Sequence, residues 1–196
     1  MANRILYFVR HGQYKSTTTP PDEPDGPLTD LGREQVACTA ERLQTIPFSF
    51  IHFSTLERAA ETAVIIARKF PEIPCLPSNT LRECIPCVPA GFEAHFAHIP
   101  EEEIEEGNAR AKRAFGQYMQ PLDKKIVEDQ YELIVGHGNM INYLIGQSIN
   151  APEASWLFTD IENAAVSQVT IFASGVMKLS RHNDIGHFPS HLITVE

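Results

Sequence analysis

Arg4-Ile5-Leu6-Tyr7-Phe8-Val9-Arg10-His11-Gly12 is the stretch that decides the fold. Its apolar run is too short for a helix and is stopped by charge and glycine, so residues 4–9 read as a buried strand. Further along, Lys15 to Pro27 carries Pro20, Pro21, Pro24 and Pro27 among threonine and aspartate and reads as a loop. Thr29-Asp30 opens a helix with Leu31, Ala37, Ala40 and Leu43 on one side, ended by Pro47. Phe48 to Phe53 reads as a second strand. Ser54-Thr55-Leu56-Glu57 has the pattern of a capping box, with Ser54 at the cap of a helix that runs to about Phe70. Strand, helix, strand, helix in this order predicts a parallel sheet covered by helices.

The proline-rich residues 71–100 interrupt that alternation. An acidic block, Glu101-Glu102-Glu103-Ile104-Glu105-Glu106, precedes a helix with Ala111, Ala114, Phe115 and Tyr118 facing one way. Tyr131 to Gly136 is another strand and Asn139 to Gln147 another helix. Val166 to Ala173 and Val176 to Ser180 flank Ser174-Gly175, a two-residue hairpin signal. The expected fold is α/β: a three-layer α/β/α sandwich with a mostly parallel central sheet and an antiparallel C-terminal hairpin. A single domain over residues 1–196 is expected, with an inserted lid-like segment at about 84–128.

The composition narrows the function classes. With 43% apolar and 21% charged residues among 196, the chain is globular rather than disordered. A net charge of −9 argues against a nucleic-acid partner gripped by a broad basic face. Four cysteines (Cys38, Cys75, Cys84, Cys87) are too few and too scattered for a disulfide framework. The N-terminal apolar run is shorter than the core of a signal peptide, so the expected setting is reduced and cytoplasmic.

The chemistry gathers where strands end. Arg10-His11-Gly12 follows the first strand, His137-Gly138 follows the strand at 131–136, and Arg58 lies in the first turn after the second strand. Ligands of open α/β sheets bind beyond the carboxyl ends of strands, so these groups can converge on one crevice. Two arginines, two histidines and a helix N-terminus make an oxyanion site, and phosphate fits it best.

Val9-Arg10-His11-Gly12-Gln13, Leu28-Thr29-Asp30-Leu31-Gly32, Ser54-Thr55-Leu56-Glu57-Arg58-Ala59-Ala60-Glu61-Thr62, Leu81-Arg82-Glu83 and Val135-Gly136-His137-Gly138 occur in that order. In this the chain resembles the phosphoglycerate mutase-like histidine phosphatase superfamily from residue 4 to about 190. Its Arg10-to-Tyr14, Pro27-to-Thr29, Gly32-to-Gln35 and Asp184-to-Pro189 segments resemble the mitochondrial-type protein serine/threonine phosphatase branch. The resemblance implies that His11 is the nucleophile, forming a phosphohistidine, while Arg10 and Arg58 clamp the phosphoryl oxygens. It implies that His137 donates to another oxygen as an imidazolium held charged by the bound anion, and that Glu83 is the general acid and later the base. Gly12 and Gly138 complete the substrate-binding set. The scheme uses no metal and no cofactor.

The implied function is a metal-independent phosphomonoester hydrolase acting on phosphorylated protein or peptide. The alternatives are a small-molecule phosphatase or a mutase-type enzyme, and a silent phosphate-recognition scaffold. The scaffold predicts loss of His11, Arg58, Glu83 or His137, and all four are present. Mutases of the family carry a longer insertion between the residues matching Glu83 and His137, and an amide side chain where this chain has Thr17. The acidic block reads as a solvated helix face; at a site entrance it would favour substrates with basic flanks. Cys84-Ile85-Pro86-Cys87 with His95 and His98 departs from zinc-ligand spacing and reads as packing. His52 reads as a core or sheet-edge residue, and His182, His187 and His191 as parts of an arm or interface. The resemblance also implies a homodimer. The apolar C-terminal arm of Phe188, Pro189, Leu192, Ile193 and Val195 would dock on the partner or on its own domain.

Overall fold

The first apolar run forms strand β1 (Arg4–Arg10), whose side chains alternate between two hydrophobic cores. This computed structural model describes residues 2–17 and 24–194. Pro20 and Pro21 of the expected loop and Val195 of the C-terminal arm lie outside the described residues. After β1 come α1 (Asp30–Leu43), β2 (Phe48–Ser54), α2 (Glu57–Ala67), β3 (Cys75–Ser78), α3 (Glu93–Phe96), α4 (Glu101–Tyr118), β4 (Gln130–Gly136), α5 (Gly138–Ser148), β5 (Val166–Ile171) and β6 (Met177–Asp184).

The six strands form one sheet in the order β3-β2-β4-β1-β5-β6. The first four run parallel, β5 is antiparallel to β1, and β6 is antiparallel to β5. Leu6, Phe8 and Ile134 face α4 and α5; Ile5, Tyr7, Val9, Leu133 and Val135 face α1 and α2. Burying both faces of β1 and β4 explains their unbroken apolar runs and gives the three layers. Each fully buried leucine or phenylalanine contributes about 1.5–3 kcal/mol.

Three local expectations change. Ser54 is not a helix cap. It ends β2, α2 begins after Leu56, and Asp25 from the preceding loop accepts the Glu57 N–H at 2.8 Å instead. The hairpin loop is longer than two residues: Ile171 pairs with Met177, and Phe172 and Val176 close a turn around Gly175, whose φ is +85°. A short strand, β3, also lies within the proline-rich stretch. It holds Pro77 because it occupies the sheet edge, where a missing N–H breaks no central ladder.

The C-terminal arm seats on its own domain. Leu192 is buried, Phe188 packs on the α1/α2 core, and the Gln35 side chain donates to the Leu192 carbonyl. His187 lies 3.0 Å from the Thr39 hydroxyl on α1, and His182 lies 3.2 Å from Ser167 on β5. His52 points at Glu132 on the central strand β4, which Arg4 also grips with two hydrogen bonds of 2.8 and 2.6 Å. Burial pushes the Glu132 carboxyl up, but the bonds from His52 and Arg4 outweigh it and hold its pKa at about 2.

Candidate active site

The parallel pairing of β1 with β4 sets Arg10 opposite Gly136, so the two histidine-bearing loops leave the sheet side by side. The His11 backbone N–H donates to the Gly136 carbonyl at 2.9 Å, and the His11 and His137 rings lie 5.1 Å apart between centroids. Gly12 and Gly32 make this approach possible. A Cβ on Gly32 would stand 2.0 Å from the Gln13 carbonyl oxygen, and one on Gly12 would stand 2.6 Å from that of Gly32. The Gly12 N–H donates to Thr62 Oγ1 at 3.1 Å, so this glycine contributes shape to the site rather than a donor.

His11 is 3% exposed, and its Nδ1 lies 2.9 Å from the Gly12 carbonyl oxygen. A carbonyl can only accept, so Nδ1 carries the proton and Nε2 keeps its lone pair. Burial, then the charges of Arg10 and Arg58, push its pKa well below the usual histidine value. The result is a neutral imidazole with a free basic nitrogen among cations.

His137 is fully buried, and its Nε2 lies 2.7 Å from Ser54 Oγ. Ser54 Oγ accepts the Leu56 N–H at 3.3 Å; when the serine hydroxyl gives its own proton to Nε2, the His137 proton sits on Nδ1. Nδ1 is buried and has no partner among the described residues. Burial first, then His11, Arg58, Arg10 and Arg82, push the pKa of His137 well down. These causes favour the neutral ring in the free protein, whereas the imidazolium implied by the resemblance is one held charged by a bound anion. The neutral ring still offers Nδ1–H as a donor.

Arg58 is 4% exposed, stacks over Tyr14 with its guanidinium carbon 4.6 Å from the ring centre, and donates to the Pro24 carbonyl and Asp25. Its buried Nε has no partner among the described residues. Arg10 donates to the Ile161 carbonyl at 2.6 Å. Glu83 lies across the N-terminus of α5, where its carboxylate accepts the N–H groups of Cys84, Asn139 and Met140 at 3.0–3.2 Å. Burial raises its pKa, and those bonds only partly offset the rise. Glu83 is thus a carboxyl that holds its proton more readily than an exposed glutamate does.

Arg10, His11, Arg58, Glu83 and Gly138 all line one cavity of about 800 Å³, and His137 lies just behind it. The acidic block is not only a solvated face, since Glu103 and Glu106 line this cavity too. Thr17 is exposed, its backbone N–H donates to the Asp25 carbonyl, and it does not line the cavity. Cys84 and Cys87 pack on the α4/α5 core, and the described residues hold no group of three or more His, Cys, Asp or Glu placed for a metal. Sequence reasoning missed Tyr14, Asp25, Ser54 and Arg110. Ser54 sits in the same quoted block as Arg58, whereas Asp25 lies in a loop with no period to mark it.

Comparison with known proteins shows what the chain is similar to. The chain is 32% identical over 195 residues to the mitochondrial serine/threonine-protein phosphatase PGAM5 of Xenopus tropicalis, covering 98% of this chain and 69% of that one. The human protein of the same name is also 32% identical, with 98% and 66% covered. Among solved structures, Bacillus stearothermophilus YhfR superposes with a TM-score of 0.73 at 22% identity, covering 94% of this chain and 98% of that one. A Plasmodium falciparum phosphoglycerate mutase superposes at 0.64 and 22%, covering 97% and 96%. The relatives' mitochondrial names overturn the cytoplasmic expectation: a short N-terminal apolar run and a low cysteine count carry no address. The sequence pattern of the histidine phosphatase superfamily (branch 1) matches residues 6–185, and the chain belongs to that family.

Proposed function

We propose that the protein hydrolyses phosphomonoesters through a phosphohistidine on His11, with phosphorylated serine or threonine of a protein as its substrate. The observation that carries this reading is the fixed tautomer of His11, whose unprotonated Nε2 stands in a cavity with two buried arginines and the Glu83 carboxyl, whose pKa burial raises. Nε2 attacks phosphorus while the bond from phosphorus to the leaving oxygen breaks, and Glu83 gives that oxygen its proton. Arg10, Arg58 and the Nδ1–H of His137 hold the three spreading oxygens. Glu83, now a carboxylate, takes a proton from water as the water attacks the phosphohistidine. Phosphate leaves, and both His11 and Glu83 return to their starting forms.

The protein substrate and a mitochondrial setting are supported by the names of the relatives. The segment at about 84–128 acts as a lid-like wall of the single domain. Its residues Ile85, Glu103 and Arg110 line the cavity opposite the strand ends. Turnover of p-nitrophenyl phosphate and of phosphoserine peptides with EDTA present tests the reading. No turnover of the aryl phosphate refutes the enzyme, and turnover of phosphosugars in preference to phosphopeptides refutes the protein substrate.

A further inference from the structure

Helix α4 carries its charges in a graded stripe. Glu103, Glu106, Arg110 and Arg113 recur at three- and four-residue steps, so they share one face. That face reaches the site because Gly107 lies against the segment after Glu83; a Cβ there would stand 2.6 Å from the Ile85 carbonyl oxygen. Arg110 donates to the Glu83 carbonyl at 2.8 Å and pairs with Glu106 at 2.7 Å. Arg82 and Arg113 join Arg110 in a second groove of about 380 Å³, completed by Asn79, Thr80 and Glu106. The groove holds three guanidiniums against one carboxylate in a chain of net charge −9. Arg113 is exposed and forms no ion pair among the described residues.

The groove adjoins the catalytic cavity, because Glu106 and Arg110 line both. In the proposed reaction the scissile oxygen meets Glu83, and Arg110, which donates to the Glu83 carbonyl, is the groove residue next to that point. Arg82 is the neighbour of Glu83 in extended backbone, which turns its side chain away from the catalytic cavity and into the groove.

We propose that the groove of Arg82, Arg110 and Arg113 is a subsite for a second anionic group of the substrate, a carboxylate or phosphate flanking the phosphorylated residue. The proposal rests on the protein-phosphatase reading above. Guanidiniums suit either anion through paired N–H donors, and the neighbouring Glu106 keeps Arg110 oriented.

The test compares kcat/KM on phosphoserine peptides that differ only in the flank: neutral, aspartate-bearing, carrying a second phosphate, or lysine-bearing. p-Nitrophenyl phosphate serves as a flank-free control. Wild type is expected to prefer the anionic flanks by about three- to tenfold over the neutral one, less at high salt. Arg113→Glu is expected to lose that preference and gain one for the lysine flank, with aryl phosphate turnover unchanged. That control also reports that the variant folds. The aspartate and phosphate peptides separate the two anion sources. Equal rates on all flanks, or a preference that survives Arg113→Glu, overturn the subsite alone. Aryl phosphate turnover with no peptide turnover overturns the protein substrate and the subsite with it.

Discussion

Glu83→Gln separates the job that the structure shows for this side chain, capping α5, from the acid role proposed for it. The carboxylate accepts three backbone N–H groups with its two oxygens, Cys84 and Met140 on Oε1 and Asn139 on Oε2. Glutamine has one acceptor oxygen, so keeping the Oε1 pair turns its NH2 against the Asn139 N–H. Leaving that donor unsatisfied costs about 1–3 kcal/mol of stability, within the 5–15 kcal/mol roughly available to a domain. The variant therefore folds, with a lowered urea midpoint. The chemical loss is different in kind. An alkoxide leaves only if protonated, and acid catalysis contributes about 100- to 10,000-fold, or roughly 3–5 kcal/mol of barrier. Nitrophenolate departs without that proton. The assay is kcat/KM for a phosphoserine peptide and for p-nitrophenyl phosphate, wild type against variant. The peptide is expected to lose about 100-fold or more and the aryl ester only a few-fold. An equal factor on both substrates would refute the acid role and leave Glu83 as a cap of α5.

After a burst with labelled substrate, acid-labile and base-stable label should sit on His11, and His11→Ala should abolish turnover with the fold kept; label on serine or cysteine contradicts the nucleophile. The nucleophile must be neutral and its pKa is lowered, so activity should fall on the acid side only below pH 6.5; a kcat/KM profile already falling above 6.5 contradicts it. Ser54→Ala should slow peptide and aryl substrates alike by about 10- to 100-fold, with Ser54→Thr partly restoring the rate; an unchanged rate removes the serine from the orientation of His137. The Glu132 carboxyl is depressed from 4.5 to about 2, worth about 3 kcal/mol that is present above pH 4.5 and lost as pH falls through 2. Urea melts of Glu132→Gln should lack that part of the acid loss, and curves parallel to wild type over the window would refute it.

Much of the fold was legible because burial on both faces writes itself as an apolar run. β1 and β4 read that way, and α1, α4 and α5 showed helical spacing. What escaped had no such imprint. β3 is a mostly exposed edge strand with a proline in it, and its backbone pairing, not its side chains, defines it. Ser54 satisfied the capping pattern by spacing alone, while the group that accepts the Glu57 N–H, the Asp25 carboxylate, comes from a distant loop. The site's charged residues were legible as types at strand ends. Their protonation was not: the neutral state of His137 follows from total burial beside other cations, which no local pattern encodes. The entrance charges on α4 were read as solvated because periodicity cannot see that Gly107 draws the helix onto the Glu83 segment.

The bond from the His11 N–H to the Gly136 carbonyl also has a consequence for biosynthesis. During synthesis β1 leaves the ribosome first, yet both of its neighbours in the sheet, β4 and β5, lie far downstream. The most apolar strand of the protein therefore emerges with two unpaired edges and stays so until most of the chain has been made. Phosphatase activity switches on late, when β4 docks and sets the histidine loop, so a truncated translation product is silent rather than unregulated.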